Sequence, residues 1–469
     1  MTQYLLKKRL LLFSPCSYGF IKPIIFILFF IGVYNNKVIG QFHYTCATHE
    51  IHEKLLIENK EYKYQYDRIN NEIYQVLKHQ IELNDKSRSA LINYVVPVAI
   101  HIITPPGTPI GSENNITDSQ VEAGLQLLND AFANNGDFKT PEGIDIGISF
   151  CLAKRDPNGQ PTNGITRNES TLVADITPCT PFGTDMNNGG AIKAIVNWDC
   201  KEYVNIWLVT DLYNSTFGCS LAGFATFPGA GCGFDGVVQE SRYWITKGGT
   251  TVSAHELGHY FSLNHTFNGG CSNGDCLLDG DQVCDTPPDN SPSFAACNTN
   301  SCNTDSPDLQ DDNTNYMDYT SCTPPHFTQG QKDRMIAGLE KGRPELINSE
   351  GCLSVVNNDV AILDLKVIGG GCGSSVCPKI IFKNTGINTI SSLNIIIKID
   401  GITLLTYPWT GSLLSNTKDT LLLPCVNSTI GTHSVSIELK DPNGITDGFI
   451  NNNIISINGL NIYPKPDLK

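Results

Sequence analysis

Three histidines and one glutamate fall within eleven residues, His255-Glu256-Leu257-Gly258-His259-Tyr260-Phe261-Ser262-Leu263-Asn264-His265. Four residues separate His255 from His259, so on a helix both imidazoles leave the same face about one turn apart and can share one metal ion. Glu256 follows the first histidine and can reach a water held by that ion. Three protein ligands, one open coordination place and a neighbouring general base are what metal-assisted hydrolysis of a peptide bond requires, and imidazole suits zinc. His265 lies six residues past His259. A continuous helix would carry it about 120° around and about 9 Å along the axis, so it joins the other two only if the helix stops and the chain bends. Ser262 or Asn264 must then take a left-handed conformation, at a cost of about 1–2 kcal/mol for a residue other than glycine. Gly258 leaves room for close packing near the metal.

Some fifty residues on stands Asn315-Tyr316-Met317-Asp318-Tyr319. A methionine turn can place the Met317 thioether as an apolar floor under the histidines. Tyr319 can offer its phenol to the oxyanion that forms when a peptide carbonyl is attacked. The plain alternatives are that Met317 is only core and Tyr319 only packs.

The elements that must hold these residues can be read from the pattern. Tyr94 to Ile103 predicts a buried strand. Thr117-Asp118-Ser119-Gln120 predicts a helix start, followed by apolar Val121, Leu125, Leu127, Leu128 and Phe132. Ile146 to Leu152 and Tyr203 to Val209 predict two more strands, the latter apolar on both faces and so central. Gly223-Phe224-Ala225-Thr226-Phe227-Pro228 predicts a short strand stopped by proline. A helix then carries the histidines, and Gly330 to Leu346 supplies another. Residues 51–83 carry apolar residues at helical spacing in their second half, with no glycine or proline. Past Cys352 the texture becomes short β runs, at Val360–Val367, Lys379–Lys383, Leu393–Ile399, Thr420–Leu423 and His433–Leu439. These predict an immunoglobulin-like sandwich.

The chain of 469 residues is too long for one core and suits several domains. Residues 1–40 read as an export signal: Lys7, Lys8, Arg9 and Lys22 precede an apolar run, Ile24 to Val33, that is too short to span a bilayer comfortably. Residues 41–88 read as a helical propeptide ending in the polar stretch Asp85-Lys86-Ser87-Arg88, residues 89–352 as the catalytic domain and 353–469 as the β-sandwich. No acidic residue precedes Glu50, so removal of the five basic residues of the leader leaves 27 basic against 47 acidic residues, a net charge of −20. Such a chain repels nucleic acid and anionic membranes. Seventeen cysteines behind an export signal imply an oxidising compartment and structural disulfides. No Cys-x-x-Cys pair supports a zinc ribbon, and connectivity cannot be deduced from spacing.

Taken together these features resemble the pappalysin family of metzincin zinc peptidases, in particular its bacterial ulilysin-like and cytophagalysin-like members. The resemblance runs over most of residues 92–340. It includes Leu152-Ala153-Lys154-Arg155-Asp156-Pro157-Asn158-Gly159 with Gly164-Ile165-Thr166-Arg167, then Trp198-Asp199 and Tyr203-Val204-Asn205-Ile206-Trp207. Asp235-Gly236-Val237-Val238, His265-Thr266-Phe267, Asp285-Thr286-Pro287 and Phe327-Thr328-Gln329-Gly330-Gln331 with Arg334-Met335 continue it.

The resemblance implies an α/β metzincin-type catalytic domain with a twisted mixed sheet, an active-site helix and an irregular, disulfide-rich second half. It implies a secreted or cell-surface zinc endopeptidase with His255, His259 and His265 as ligands, Glu256 as acid and base, and protein or peptide substrates. Gly223, Phe224, Ala225 and Thr226 would then pair with extended substrate, where the plain reading is an ordinary edge strand. Cys46-Ala47-Thr48 is similar to a latency element of ulilysin-like zymogens whose thiolate takes the zinc's open place. Here Ala47 replaces a glycine, and a disulfide partner is the alternative. Calcium is implied in the acidic loop between His265 and Met317, with Asp279, Asp281 and Asp285 as candidate ligands. The competing function is a catalytically silent surface adhesin on a peptidase scaffold, and the C-terminal region is a candidate for cell-surface or glycan contact.

Overall fold

The computed structural model describes residues 45–83, 93–173, 184–185, 189–213, 221–294, 296–303, 308–369 and 375–463. The leader 1–40 and the expected propeptide boundary at 85–88 lie outside the described residues. Among the described residues no helix is long and apolar enough to cross a membrane.

A mixed sheet forms the centre of the first half. Its strands are β1 (Thr45–Cys46), β2 (Tyr94–Thr104), β3 (Ile148–Leu152), β4 (Ile165–Glu169), β5 (Val204–Val209), β6 (Leu221–Ala225) and β7 (Val237–Glu240), in the order β1-β6-β7-β5-β2-β3 with β4 also on β2. All pairings are parallel except β6 with β7. β5 is buried at every position, as its two-sided apolar pattern requires. Turning β6 against its neighbour places it at the rim of the catalytic part of the sheet, with one edge free to receive another chain. β1 occupies that edge. β6 begins two residues earlier and ends three before Pro228; past its end the Thr226 N–H still reaches the Gly236 carbonyl beside β7 at 3.3 Å.

The helices that matter pack on this sheet or across its rim. α1 (Thr48–Glu58) and α2 (Lys60–Leu83) belong to the expected propeptide; Asn59 breaks them and caps α2 through its side chain on the Tyr62 N–H at 3.0 Å. α3 (Asp118–Phe132) starts at a Thr117–Gln120 capping box, where the sequence predicts it. α4 (Lys247–Tyr260) carries His255, Glu256 and His259. α5 (Gln329–Gly342) begins at a second capping box, Thr328–Gln331. One core joins β2, β3, β5, α3, α4 and α5 through Val98, Ile206, Phe132, Leu257, Met317 and Met335. Ile69, Ile73 and Leu77 of α2 make a separate apolar contact with Ala337 of α5 and Leu277.

The segment from His265 to Met317 has little regular structure. Disulfides Cys271–Cys302, Cys276–Cys284 and Cys297–Cys322 staple it, and Cys151–Cys352 ties β3 to the end of the catalytic region. After it come two antiparallel sheets. β8 (Val360–Gly369), β9 (Ser375–Asn384) and β12 (Lys418–Leu422) form one in the order β8-β9-β12; β10 (Ile390–Ile399), β11 (Ile402–Leu413), β13 (Gly431–Lys440) and β14 (Ile454–Ile462) form the other in the order β11-β10-β13-β14. Alternate residues of both, among them Ile380, Phe382, Ile395, Ile397, Val435 and Ile437, close on one apolar core. The buried Arg155 side chain links the two halves, donating to the Leu353 carbonyl at 3.1 Å and meeting the Asp359 carboxylate at 3.3 Å.

Candidate active site

α4 presents His255 and His259 on one face, with Nε2 atoms 3.1 Å apart. The helix ends at Tyr260, and Ser262 then takes φ +84°, so of the two candidates for the bend it is the serine that adopts the left-handed conformation. The Leu263 N–H donates to the Gly258 carbonyl and the Ser262 N–H to the His259 carbonyl, both at 2.9 Å. These are the paired bonds of a Schellman C-cap, here with serine where glycine is usual. The reversal brings His265 Nε2 to 3.0 Å from His259 Nε2 and 3.2 Å from His255 Nε2.

The protonation of this triad follows from its partners. His255 Nδ1 lies 2.7 Å from the Tyr316 carbonyl and His259 Nδ1 2.7 Å from the Leu263 carbonyl. A carbonyl oxygen only accepts, so both Nδ1 atoms carry the proton and both Nε2 atoms expose lone pairs. Burial pushes His255 down to about 4 and holds His259 and His265 well below the usual histidine range, so the rings are neutral. Lone pairs at this separation repel unless a cation lies between them. The spacings come close to the edge of about 3.3 Å that a tetrahedron with zinc–nitrogen distances of 2.0–2.1 Å would have. The donor set therefore fits zinc. The carbonyl of Leu263, inside the turn, is also the group that orients His259.

The segment expected to be a propeptide enters this site. Cys46, the free cysteine among the described residues, is buried, and its sulfur joins one nitrogen from each histidine in a set of donor atoms all within 4.8 Å of one another. Its Sγ also lies 3.3 Å from Glu256 Oε2, and Thr48 Oγ1 donates to the same oxygen at 3.2 Å. Burial raises the Glu256 carboxyl to about 8, against the lowering effect of these two hydrogen bonds, and burial likewise pushes the Cys46 thiol well up. Tyr319 donates its hydroxyl to the Cys46 carbonyl at 2.9 Å.

The expected substrate strand divides in two. Gly223 and Ala225 turn their main chain to the rim. Cys46 pairs with Gly223, the Ala47 N–H donates to the Gly223 carbonyl at 3.2 Å, and Thr48 Oγ1 accepts from the Ala225 N–H at 2.8 Å. A side chain at Gly223 would crowd Glu256, with a Cβ 3.0 Å from both its Cγ and Oε1. Phe224 instead buries in the core beside Trp207 and Val238, and the Thr226 hydroxyl is engaged with Gly236 in the following loop.

Met317 sits beneath the histidines, fully buried, with its N–H held by the Asn315 side chain at 2.9 Å. A Cβ at Gly258 would overlap the Met317 sulfur. Gly258→Ala is therefore expected to destabilise the precursor by about 1–3 kcal/mol, as overpacking a core does, and to lower its melting temperature in thermal unfolding by several degrees.

The three aspartates nominated for calcium are not gathered into a metal-capable group among the described residues. Asp279 accepts from the Gly274 and Asp275 N–H groups, Asp281 from Thr286 and the Val283 N–H, and Asp285 from Thr328 and the Gly330 N–H. Sequence reasoning missed Thr48 on Glu256, the carbonyls of Tyr316 and Leu263, and Asn315. The carbonyls leave no mark in side-chain identity. Thr48 stood beside Cys46 in the latency triplet and was the one with a readable signal.

The family model described as pregnancy-associated plasma protein-A, of the M43 peptidases, matches residues 190–340. The chain is 45% identical over 265 residues to an extracellular metalloprotease of Sordaria macrospora, covering 55% of this chain and 78% of that protein. It is 42% identical over 263 residues to one of Colletotrichum graminicola, covering 54% and 79%. Among solved structures, promirolysin of Tannerella forsythia is 26% identical, with a TM-score of 0.46 over 65% of this chain and 96% of that one. The chain thus belongs to the pappalysin family of metallopeptidases and is an extracellular metalloendopeptidase.

Proposed function

We propose that the protein is a zinc endopeptidase made as a latent precursor, with residues 41–88 as the inhibitory segment. The convergence of three imidazole nitrogens with the Cys46 sulfur carries this reading. His255, His259 and His265 would hold the zinc, which when bound supplies Lewis acidity and a water of lowered pKa. Glu256 accepts a proton from the attacking water and returns it to the leaving amine. Tyr319, whose hydroxyl donates to the Cys46 carbonyl in the precursor, donates to the scissile carbonyl oxygen as charge builds on it. The main chain of Gly223 and Ala225 aligns extended substrate by adding it to the sheet edge.

Latency follows from the same contacts. β1 fills the sheet edge, the Cys46 carbonyl takes the Tyr319 hydroxyl, the thiol stands among the histidines, and Thr48 engages Glu256. Each group needed for catalysis is already used by the propeptide, and α1 and α2 anchor it. Calcium is not part of this reading: the Asp279, Asp281 and Asp285 carboxylates each accept hydrogen bonds from neighbouring protein groups and do not converge on one point among the described residues. The C-terminal sheets read as an immunoglobulin-like module appended to the enzyme.

The test is cleavage of an unfolded protein by the processed enzyme, before and after treatment with a chelator. Loss of cleavage with recovery on adding zinc is expected. Undiminished cleavage in the chelator would overturn the zinc reading.

A further inference from the structure

We propose that Arg334 is a positioning residue for the metal-binding turn, a role that rests on the zinc reading above. Arg334 lies on α5, fully enclosed, and its Nε donates to the Ser262 carbonyl at 2.8 Å. Its Nη2 donates to Gln282 Oε1 at 2.6 Å and to Asn70 Oδ1 of α2 at 2.7 Å. One turn further along α5, a Cβ at Gly338 would overlap the Phe261 carbonyl and the Ser262 hydroxyl. The helix backbone therefore lies directly against the bend, and the guanidinium grips it.

The need for a grip comes from the residue at the bend. Ser262 stands at φ +84°, which glycine adopts freely and other L-residues adopt at a cost. Its carbonyl is turned into the protein, where an unpaired acceptor would add a further penalty. Arg334 supplies that partner and offsets both terms. What depends on the turn is metal geometry: Leu263, the next residue, orients His259 through its carbonyl, and His265 follows two residues later. A relaxed turn would disturb two of the three ligands at once. The Asn70 bond belongs to the precursor and departs with α2, so in the processed enzyme Gln282 and Ser262 remain as the polar contacts described.

Arg334 touches neither substrate nor metal, so the readout is zinc retention. Four processed enzymes are compared: wild type, Arg334→Gln, Ser262→Gly and the double variant. Zinc release into excess chelator is followed with a metal indicator. Arg334→Gln alone should release zinc about 10–100-fold faster than wild type, the scale of losing a group that orients a ligand. In the Ser262→Gly background the same replacement should change the rate by no more than about threefold, because glycine holds the bend unaided. Equal acceleration in both backgrounds would overturn the proposal, as would an Arg334→Gln enzyme that keeps zinc like wild type. If Arg334→Gln fails to fold alone, recovery of folded, zinc-retaining double variant supports the clamp, and failure of the double variant as well overturns it. A wild-type enzyme without zinc would instead overturn the metal reading itself.

Discussion

Replacing Glu256 by glutamine is expected to lower kcat/KM for peptide cleavage by about 10²–10⁴-fold, the usual contribution of a positioned acid–base group, while the protein stays folded. The side chain is buried within the site, yet the hydrogen bonds described for its carboxylate come from the propeptide, from Cys46 and Thr48. Once the propeptide leaves, that carboxylate faces the cleft with Gly223 opposite and no side chain to obstruct it. Glutamine matches its volume but cannot accept the proton, so packing should survive and chemistry should not. Steady-state kinetics of the processed variant, with circular dichroism to confirm folding, checks this. A variant retaining more than about a tenth of wild-type kcat/KM would assign the base elsewhere.

The second large effect is expected in the precursor. Cys46→Ala removes the thiol from the histidine cluster and leaves β1, Thr48 and both propeptide helices in place. Removing a partner from a buried polar group costs about 1–3 kcal/mol, so loss of the Cys46 contact with Glu256 shifts the equilibrium between seated and unseated propeptide by about 10–100-fold. The unprocessed Cys46→Ala protein should therefore cleave a short fluorogenic peptide at least tenfold faster than the unprocessed wild type. Thr48→Val should act in the same direction but less strongly, since it keeps the thiol. Equal latency with and without the thiol would mean that steric coverage by β1 and α1 suffices.

Much of this site was legible because its chemistry is written in side chains close in sequence. The spacing of His255, His259 and His265 demands a helix followed by a bend, and that is the observed path. The identity of the bending residue was not legible: serine and asparagine are both tolerable there, and the groups packed on the Ser262 bend, Arg334 and Gly338, lie more than seventy residues away. Met317 was marked by its place some fifty residues past the histidines, whereas the Tyr316 carbonyl that fixes His255 has no sequence signature. In the C-terminal half, β10 and β13 were readable from alternation. β11 was not: Pro408 and Gly411 interrupt it, which is tolerated because it is an edge strand. In residues 51–83 helical spacing was readable in the second half, and the break at Asn59, where a side-chain cap starts a second helix, was not. Phe224 and Thr226 were grouped with Gly223 and Ala225 as substrate contacts, but strand alternation turns the Phe224 side chain to the core and the Thr226 N–H to Gly236 on the side away from the rim.

The central claim is that one zinc is held by three histidines brought together by the Ser262 turn. Elemental analysis of the purified, exhaustively dialysed protein tests it most directly, with His259→Ala beside the wild type. The account predicts one zinc per wild-type chain and none in His259→Ala. Wild-type protein without zinc, or a His259→Ala variant that retains it in full, would contradict the account.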